Sequence, residues 1–345
     1  MLLGIAPLRL SFAGGGTDLK EYYENFEGSV VSTAINRFTY VIVTGRQDNS
    51  FQLFSSDFQA HFKPTQFNDL EPERGSELAV TVVKTLDYQD GANLMLNSEV
   101  APGSGLGASS SLAVNLIKTI STLKHEKMSN EEIAESAYDI GRNKLNWFIG
   151  KQDEYISAFG GFNFIKFKKD KVTVNKIPIN RNSLLELQKN LLVFYIGPGK
   201  NRAAILQNQI KQIKENNQET LNALRNAKEL SEKMYSSLSQ SDITKFGELL
   251  DNGWKSKKIF ANGATNEHID QLYNLGMESG ALGGKLTGAG GGGHLLFYCE
   301  PSKQKNLVEK IQSKGLKQVQ CNLYEHGCQV LDLYDFTNAL KYVKN

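Results

Sequence analysis

The residues best suited to chemistry form one short segment, Pro102-Gly103-Ser104-Gly105-Leu106-Gly107-Ala108-Ser109-Ser110-Ser111, which follows a strand-like run and opens a helix-like one. Alternating glycines let backbone N–H groups converge on a single anion. A helix beginning directly after them adds the positive end of its dipole, so the element suits phosphate. Ser109, Ser110 and Ser111 place hydroxyls at the same spot. A plain tight turn with a serine cap needs fewer glycines and fewer serines than this.

Two familiar phosphate loops compete with that reading. A P-loop of the Walker type needs Gly-Lys followed by Ser or Thr. Here each Gly-Lys is followed by Gln152, Asn201 or Leu286, which excludes it. A dinucleotide fingerprint fits formally, since Gly103-x-Gly105-x-x-Ala108 satisfies the variant with a terminal alanine. It comes late in the chain, after strands that read as hairpins or a meander rather than βαβ units, so an NAD-dependent oxidoreductase is only a runner-up.

The elements that must position the segment alternate along the chain. Leu2–Phe12, Val30–Thr44, Phe51–Phe54 and Leu94–Val100 are rich in β-branched, aromatic and aliphatic residues and read as strands. Ser110–Leu123 and Glu131–Phe148 carry apolar residues at three-and-four spacing and read as helices. Phe162–Phe167 and Val172–Ile177 predict a hairpin, and Ala203–Ile259 several polar helices broken near Asn216–Asn217 and Ser239–Asp242. A strand at His294–Cys299, a helix at Ser302–Lys314 and strands near Lys317–Cys321 and Gln329–Leu333 complete an α+β pattern. The domain boundary falls near residue 186, giving halves 1–186 and 187–345.

Composition removes several classes. With 40% hydrophobic and 22% charged residues, the 345-residue chain has material for a sizeable core in two domains. A formal net charge of +2 names neither a nucleic acid nor an anionic membrane as partner. Cys299, Cys321 and Cys328 are odd in number and contain no CxxC pair, so a disulfide framework and a zinc ribbon are not indicated and a cytoplasmic setting is expected. No signal peptide or membrane span is legible. The five histidines show no paired metal spacing.

Three motifs in order resemble those of the GHMP small-molecule kinases. They are Ala6-Pro7-Leu8-Arg9-Leu10-Ser11-Phe12-Ala13-Gly14-Gly15-Gly16-Thr17-Asp18, the Pro102–Ser111 segment, and Gly284-Lys285-Leu286-Thr287-Gly288-Ala289-Gly290-Gly291-Gly292-Gly293. Gly150-Lys151-Gln152-Asp153-Glu154-Tyr155 and Ala158-Phe159-Gly160-Gly161 narrow the resemblance to sugar kinases acting on an anomeric hydroxyl, above all the heptose 7-phosphate kinases, with L-fucokinases next. Galactokinases usually carry Glu and His where this chain has Gly15 and Gly16.

The resemblance implies a GHMP kinase fold, with a strand-rich first half of the kind seen in a ribosomal protein domain and a ferredoxin-like second half, and the site between them. It implies ATP and Mg²⁺ as cofactors, a sugar phosphate as substrate, the 1,7-bisphosphate as product, and a place in making activated heptose for a capsule or lipopolysaccharide. A homodimer is left open. It maps the catalytic roles onto Asp153 and Arg9, and nucleotide binding onto Pro102, Gly103, Ser104, Gly105, Leu106, Gly107, Ala108, Ser109 and Ser110. Lys285, Thr287, Gly288, Gly290 and Gly291 would form the loop packed against it. Gly15, Gly16, Thr17 and Asp18 would meet the sugar, with Lys200 and Arg202 on its phosphate. Ser109 would ligate Mg²⁺. The family's metal-binding Glu is missing, because its place holds Gly141, so either Asp139 substitutes or the metal is held mainly by nucleotide, Ser109 and water. That departure keeps open a third reading, a nucleotide-binding regulator that has lost turnover.

Overall fold

A long antiparallel pair forms the frame: β1 (Leu2–Ala13) lies along β2 (Gly28–Gly45) for most of its length, with register shifts at Pro7/Leu8 and Ser11/Ala13. The computed structural model describes residues 1–57 and 59–334. β2 is dense in β-branched and aromatic residues, which suit a pleated surface. One end of it pairs with β6 (Ala92–Ser98) and the other with β7 (Phe162–Phe167), so it spans two neighbours on the same side. Further strands are β3 (Ser50–Ser55), the short β4 (Ala60–His61) and β5 (Thr65–Gln66), and β8 (Val172–Lys176). Helices α1 (Lys20–Phe26), α2 (Glu77–Thr85), α3 (Ala108–Leu123), α4 (Asn130–Asp139) and α5 (Gln152–Phe159) belong to this half.

After α6 (Arg181–Asn190) the chain builds a second sheet. Its strands are β9 (Leu191–Tyr195), β10 (Ala281–Leu286), β11 (His294–Cys299) and β12 (Lys317–Gln318), in the order β10-β11-β9-β12. Helices α7 (Arg202–Lys214), α8 (Gln218–Ser239), α9 (Ile243–Phe260), α10 (Glu267–Glu278) and α11 (Pro301–Gln312) accompany it. The last strand, β13 (Gln329–Asp332), returns to the first sheet and pairs with β1.

The two halves share a core. Leu8, Leu10 and Phe12 of β1 are buried against Met234, Leu238, Phe246 and Leu249 of α8 and α9 and against Leu296 and Tyr298 of β11. Each such side chain contributes about 1.5–3 kcal/mol on burial, so the halves are bound by hydrophobic surface as well as by chain. α3 is pressed into the first sheet through Ala113, Val114, Leu116, Ile117 and Ile120, which fixes the direction of its N-terminus.

Two sequence expectations change. The helix expected over Glu131–Phe148 leaves α-geometry at Ile140 for one π-turn, Ile140–Lys144, and then ends, with the Trp147 amide donating to the Gly141 carbonyl. β3 and β6 are parallel, joined across α2, although the sequence suggested hairpins alone. The cause is α2 itself: its run ELAVTVVKT is rich in β-branched residues and hides its helical signal.

Candidate active site

The glycine-rich loop sits on the N-terminus of α3, with Gly107 as the capping residue in a left-handed conformation. Gly105 is also left-handed, and a Cβ there would stand 2.9 Å from the Thr287 carbonyl oxygen. At Gly107 a Cβ would stand 3.1 Å from Asp153 Oδ2. These two positions exclude a side chain so that the loop can touch the third motif on one side and Asp153 on the other.

Arg9 ties these parts together. Its Nε and Nη2 donate to the two carboxylate oxygens of Asp153 at 2.6 Å each, and its Nη1 donates to the Gly105 carbonyl at 2.6 Å. Arg9 is 3% exposed and the Asp153 side chain 21%, so the bidentate pair is protected on the arginine side and open on the carboxylate side. Asp153 lies in the first turn of α5 but does not cap it.

Asp18 is buried in the cleft beside the start of α5. It accepts from the Gly16 amide at 2.9 Å and the Gln152 amide at 3.2 Å, and it does not cap α1. Burial, then the charge of Asp153, raises its pKa above the ordinary carboxylate value. Gly15 and Gly16 line the cleft beside it. Thr17 does not: its hydroxyl is spent inside the turn, donating to Gly14 and Ser29 carbonyls and accepting from the Ser29 amide.

The third motif closes the site from the second half. A Cβ on Gly288 would meet Gly105 Cα at 2.6 Å, so two glycines lie backbone against backbone. Thr287 is fully buried, its amide donating to the His294 carbonyl. Gly290 and Gly291 pack on Ala264 and on the Lys200 carbonyl. Burial lowers the pKa of His294, whose Nδ1 lies 2.8 Å from the Ser104 carbonyl, so it holds the loop as a neutral donor. Lys285 is buried, donates to the Phe12 carbonyl at 3.0 Å and faces the cleft; burial, then Arg9, pulls its pKa down to about 7.

Two cavities meet here. One is lined by Gly103, Gly105, Gly107, Ser109, Ser110, Trp147 and Phe148, the other by Gly15, Gly16, Asp18, Lys257 and Lys285. Asp153 and Arg202 line both. Residues 77–161 match the GHMP kinases N terminal domain and residues 227–317 the GHMP kinases C terminal domain. A D-glycero-alpha-D-manno-heptose 7-phosphate kinase of Campylobacter jejuni is 31% identical, the match covering 89% of this chain and 92% of that one. The chain is a GHMP kinase. An L-fucokinase/L-fucose-1-P guanylyltransferase of Bacteroides fragilis is 24% identical over 95% of this kinase and 38% of its own length. The crystal structure of a D-glycero-D-manno-heptose 1-phosphate kinase from Bacteroides thetaiotaomicron superposes with a TM-score of 0.80, at 23% identity, over 96% of this kinase and 99% of that chain. The kinase is thus a sugar phosphotransferase, and among the described residues no helix is long and apolar enough to cross a membrane.

The residues of this kinase do not fit an Mg²⁺ held by protein carboxylates. The family's glutamate position is Gly141, and a Cβ there would stand 2.7 Å from Ile149 Cδ1, so a side chain at this place would have to displace the end of Ile149. Asp139 is exposed, accepts from Asn143 at 2.7 Å and lies outside both cavities, so it does not take up that role. Ser109 does line the nucleotide-side cavity, but among the described residues no cluster of three metal-ligating side chains exists.

Some placements differ from the sequence expectation and some residues were missed. Lys200 is exposed and outside the cleft, while Arg202 stands between Gly103 and Gly288, at the junction rather than at the far end of a sugar. Lys257 on α9 lies outside every motif, and Glu154 on α5 lies inside the Gly150–Tyr155 segment without a role assigned to it. Glu154 is 1% exposed, accepts the Ser110 hydroxyl at 2.6 Å and leaves Oε2 without a partner. Burial, then Asp153, pushes its carboxyl up to about 8. The one available signal is an acidic residue directly after Asp153: successive helix positions point about 100° apart, so with Asp153 on the cleft Glu154 turns inward.

Proposed function

We propose that this kinase transfers the γ-phosphoryl group of ATP to the anomeric hydroxyl of D-glycero-D-manno-heptose 7-phosphate, giving the 1,7-bisphosphate and ADP. The observation that carries the reading is the position of Asp153 on the boundary shared by the two cavities. Nucleotide phosphates would lie on the loop amides and the α3 N-terminus, with Trp147 and Phe148 walling the same cavity. The sugar would lie against Gly15, Gly16 and Asp18, with its anomeric hydroxyl at Asp153.

Asp153 accepts that hydroxyl's proton as the sugar oxygen bonds to phosphorus and the bond to the ADP oxygen breaks. Both carboxylate oxygens are held by Arg9, which fixes where Asp153 points. A loose phosphoryl-transfer transition state needs no more, because orientation and charge stabilisation supply most of the acceleration. Four cations, Arg9, Arg202, Lys257 and Lys285, line the acceptor cleft against two carboxylates, Asp18 and Asp153. That excess favours anionic ligands, the transferring phosphoryl group among them. The name of the 31% identical relative supports the proposed substrate.

The test is ADP release from ATP and Mg²⁺ across heptose 7-phosphate, L-fucose, galactose, mannose and mevalonate. Turnover confined to heptose 7-phosphate is expected. Turnover with free L-fucose but not with heptose 7-phosphate would overturn the substrate, and retained ATP binding with no turnover on any acceptor would favour the regulator.

A further inference from the structure

Lys257 is a buried lysine with no acidic partner among the described residues. It projects from α9 and is 7% exposed, and its Nζ donates to the carbonyls of Leu286 at 3.0 Å and Gly288 at 2.5 Å. An ammonium has three donors, so one remains, and the side chain lines the acceptor cleft. Among the described residues no carboxylate lies within ion-pair distance of Lys257, Lys285 or Arg202; the Asp153 carboxylate is engaged by Arg9. A buried charge without a counter-charge is costly. The buried Lys257 and Lys285 and the half-buried Arg202 converge on one cleft and mark a place built for an anion that arrives from outside.

The backbone around Lys257 says where that anion sits. The Gly288 carbonyl accepts from Lys257, while the Cβ position of Gly288 abuts Gly105 Cα at 2.6 Å and Arg202 Nη2 at 2.8 Å. Lys257 and Arg202 therefore reach one backbone unit that is itself pressed on the phosphate loop. The junction between the two cavities, with Asp153 on it, lies at this point. A phosphate fixed to the distal end of a sugar would lie farther into the acceptor cleft, away from Gly105.

We infer that Lys257, with Arg202, contacts the phosphoryl group while it passes from nucleotide to sugar, taking up charge that this kinase has no metal-binding carboxylate to manage. The inference rests on the kinase reaction but not on the identity of the sugar. Burial, then Lys285, Arg202 and Arg9, holds the Lys257 pKa well below its ordinary value in the empty cleft. Asp153 and Asp18 are the acids facing the same cleft. An anion entering the cluster restores the proton, so binding takes up protons from solvent.

Lys257→Met keeps the stem and removes the charge. ADP should bind the variant within about twofold of the parent, while the tightening that aluminium fluoride and Mg²⁺ give to ADP, a mimic of the group in flight, is lost. Removing one donor from a developing charge costs about 100-fold or more in kcat, with KM for ATP little changed. Lys257→Arg should regain part of both. If ADP and ADP with aluminium fluoride weaken by the same factor, Lys257 serves only to hold the Leu286 and Gly288 carbonyls, and the proposal fails. The unmodified kinase gives a second readout, free of folding effects and of any sugar. Calorimetry in buffers of different ionisation enthalpy should show more proton uptake with ADP and aluminium fluoride than with ADP alone, and the excess should shrink in Lys257→Met although Lys285 is intact. Equal uptake in the two titrations would overturn the assignment whatever the acceptor panel shows.

Discussion

The two cavities that meet at Asp153 are built from different materials. On the nucleotide side the working groups are backbone amides and small side chains, presented by Gly103–Ser110 within one stretch of chain. On the acceptor side they are charged side chains drawn from β1, α5, α7, α9 and β10, as far apart in sequence as Arg9 and Lys285. A backbone-built site depends on what is absent at each position, namely a Cβ, and tolerates little change in shape. A side-chain-built site depends on charge balance, and its parts can be altered one at a time without losing the scaffold. The contrast predicts that lesions on the first side act through affinity and fold, and those on the second through chemistry.

The widest separation is expected at Asp153, which belongs to both. Asp153→Ala removes the acceptor's carboxylate and leaves Arg9 buried without its partner. Turnover should fall by about 10³-fold or more, because orientation of the acceptor goes with the lost base. Breaking a buried pair costs about 3–5 kcal/mol, and the open face of Asp153 places this one at the lower end. Turnover within about tenfold of the parent, measured on a variant that still binds ATP, would remove Asp153 from the reaction.

Gly105→Ala probes the backbone-built side. Its left-handed conformation and the 2.9 Å approach of the Thr287 carbonyl leave no room for a methyl group. ATP affinity should fall by about tenfold or more, and stability by about 1–3 kcal/mol. KM for the sugar should change far less. A variant whose ATP and sugar constants shift equally would show that the two cavities are not separate, and the comparison would break there.

The same division decides what the sequence disclosed. Gly103, Gly105 and Gly107 stand within five residues, and a backbone-built site can be read as a local string, as can the strand that precedes it and the helix that follows. Arg9, Asp18 and Asp153 came through the resemblance, not through their own spacing, since each alone reads as an edge residue or a cap. Lys257 was not legible at all. It lies in a polar helical run, among Lys255 and Lys258, and only the return of β10 against α9 shows that one of the three is enclosed. Lys200 and Arg202 illustrate the reverse error: two residues apart, they were read as a pair, but the left-handed Asn201 between them turns one into solvent and the other into the junction. The π-turn at Ile140–Lys144 was hidden because apolar periodicity continues for a few residues beyond the point where the hydrogen-bond ladder changes.

Glu154 sharpens the comparison most gently, since it lies behind the loop and lines neither cavity. Its carboxyl is raised from 4.5 to about 8 by burial and then by Asp153. The folded chain thus keeps a proton that the unfolded chain releases above about pH 4.5, so folding takes up a proton between those two values. Stability from this group is full below the lower value and is lost as pH rises through the upper one. Glu154→Gln holds the side chain neutral and still accepts the Ser110 hydroxyl. Thermal unfolding from about pH 5 to about pH 8 should show a smaller fall in Tm for the variant than for the parent, by an amount worth a few kcal/mol at most. The slope left in the variant is set by Asp18, which titrates with the same sign, against Lys257, Lys285 and His294, whose lowered values act with the opposite sign, so the difference between the two curves isolates Glu154. If the two curves run parallel across the window, Glu154 is already ionised in the folded kinase, and the back of the loop holds a charge instead of a neutral acid.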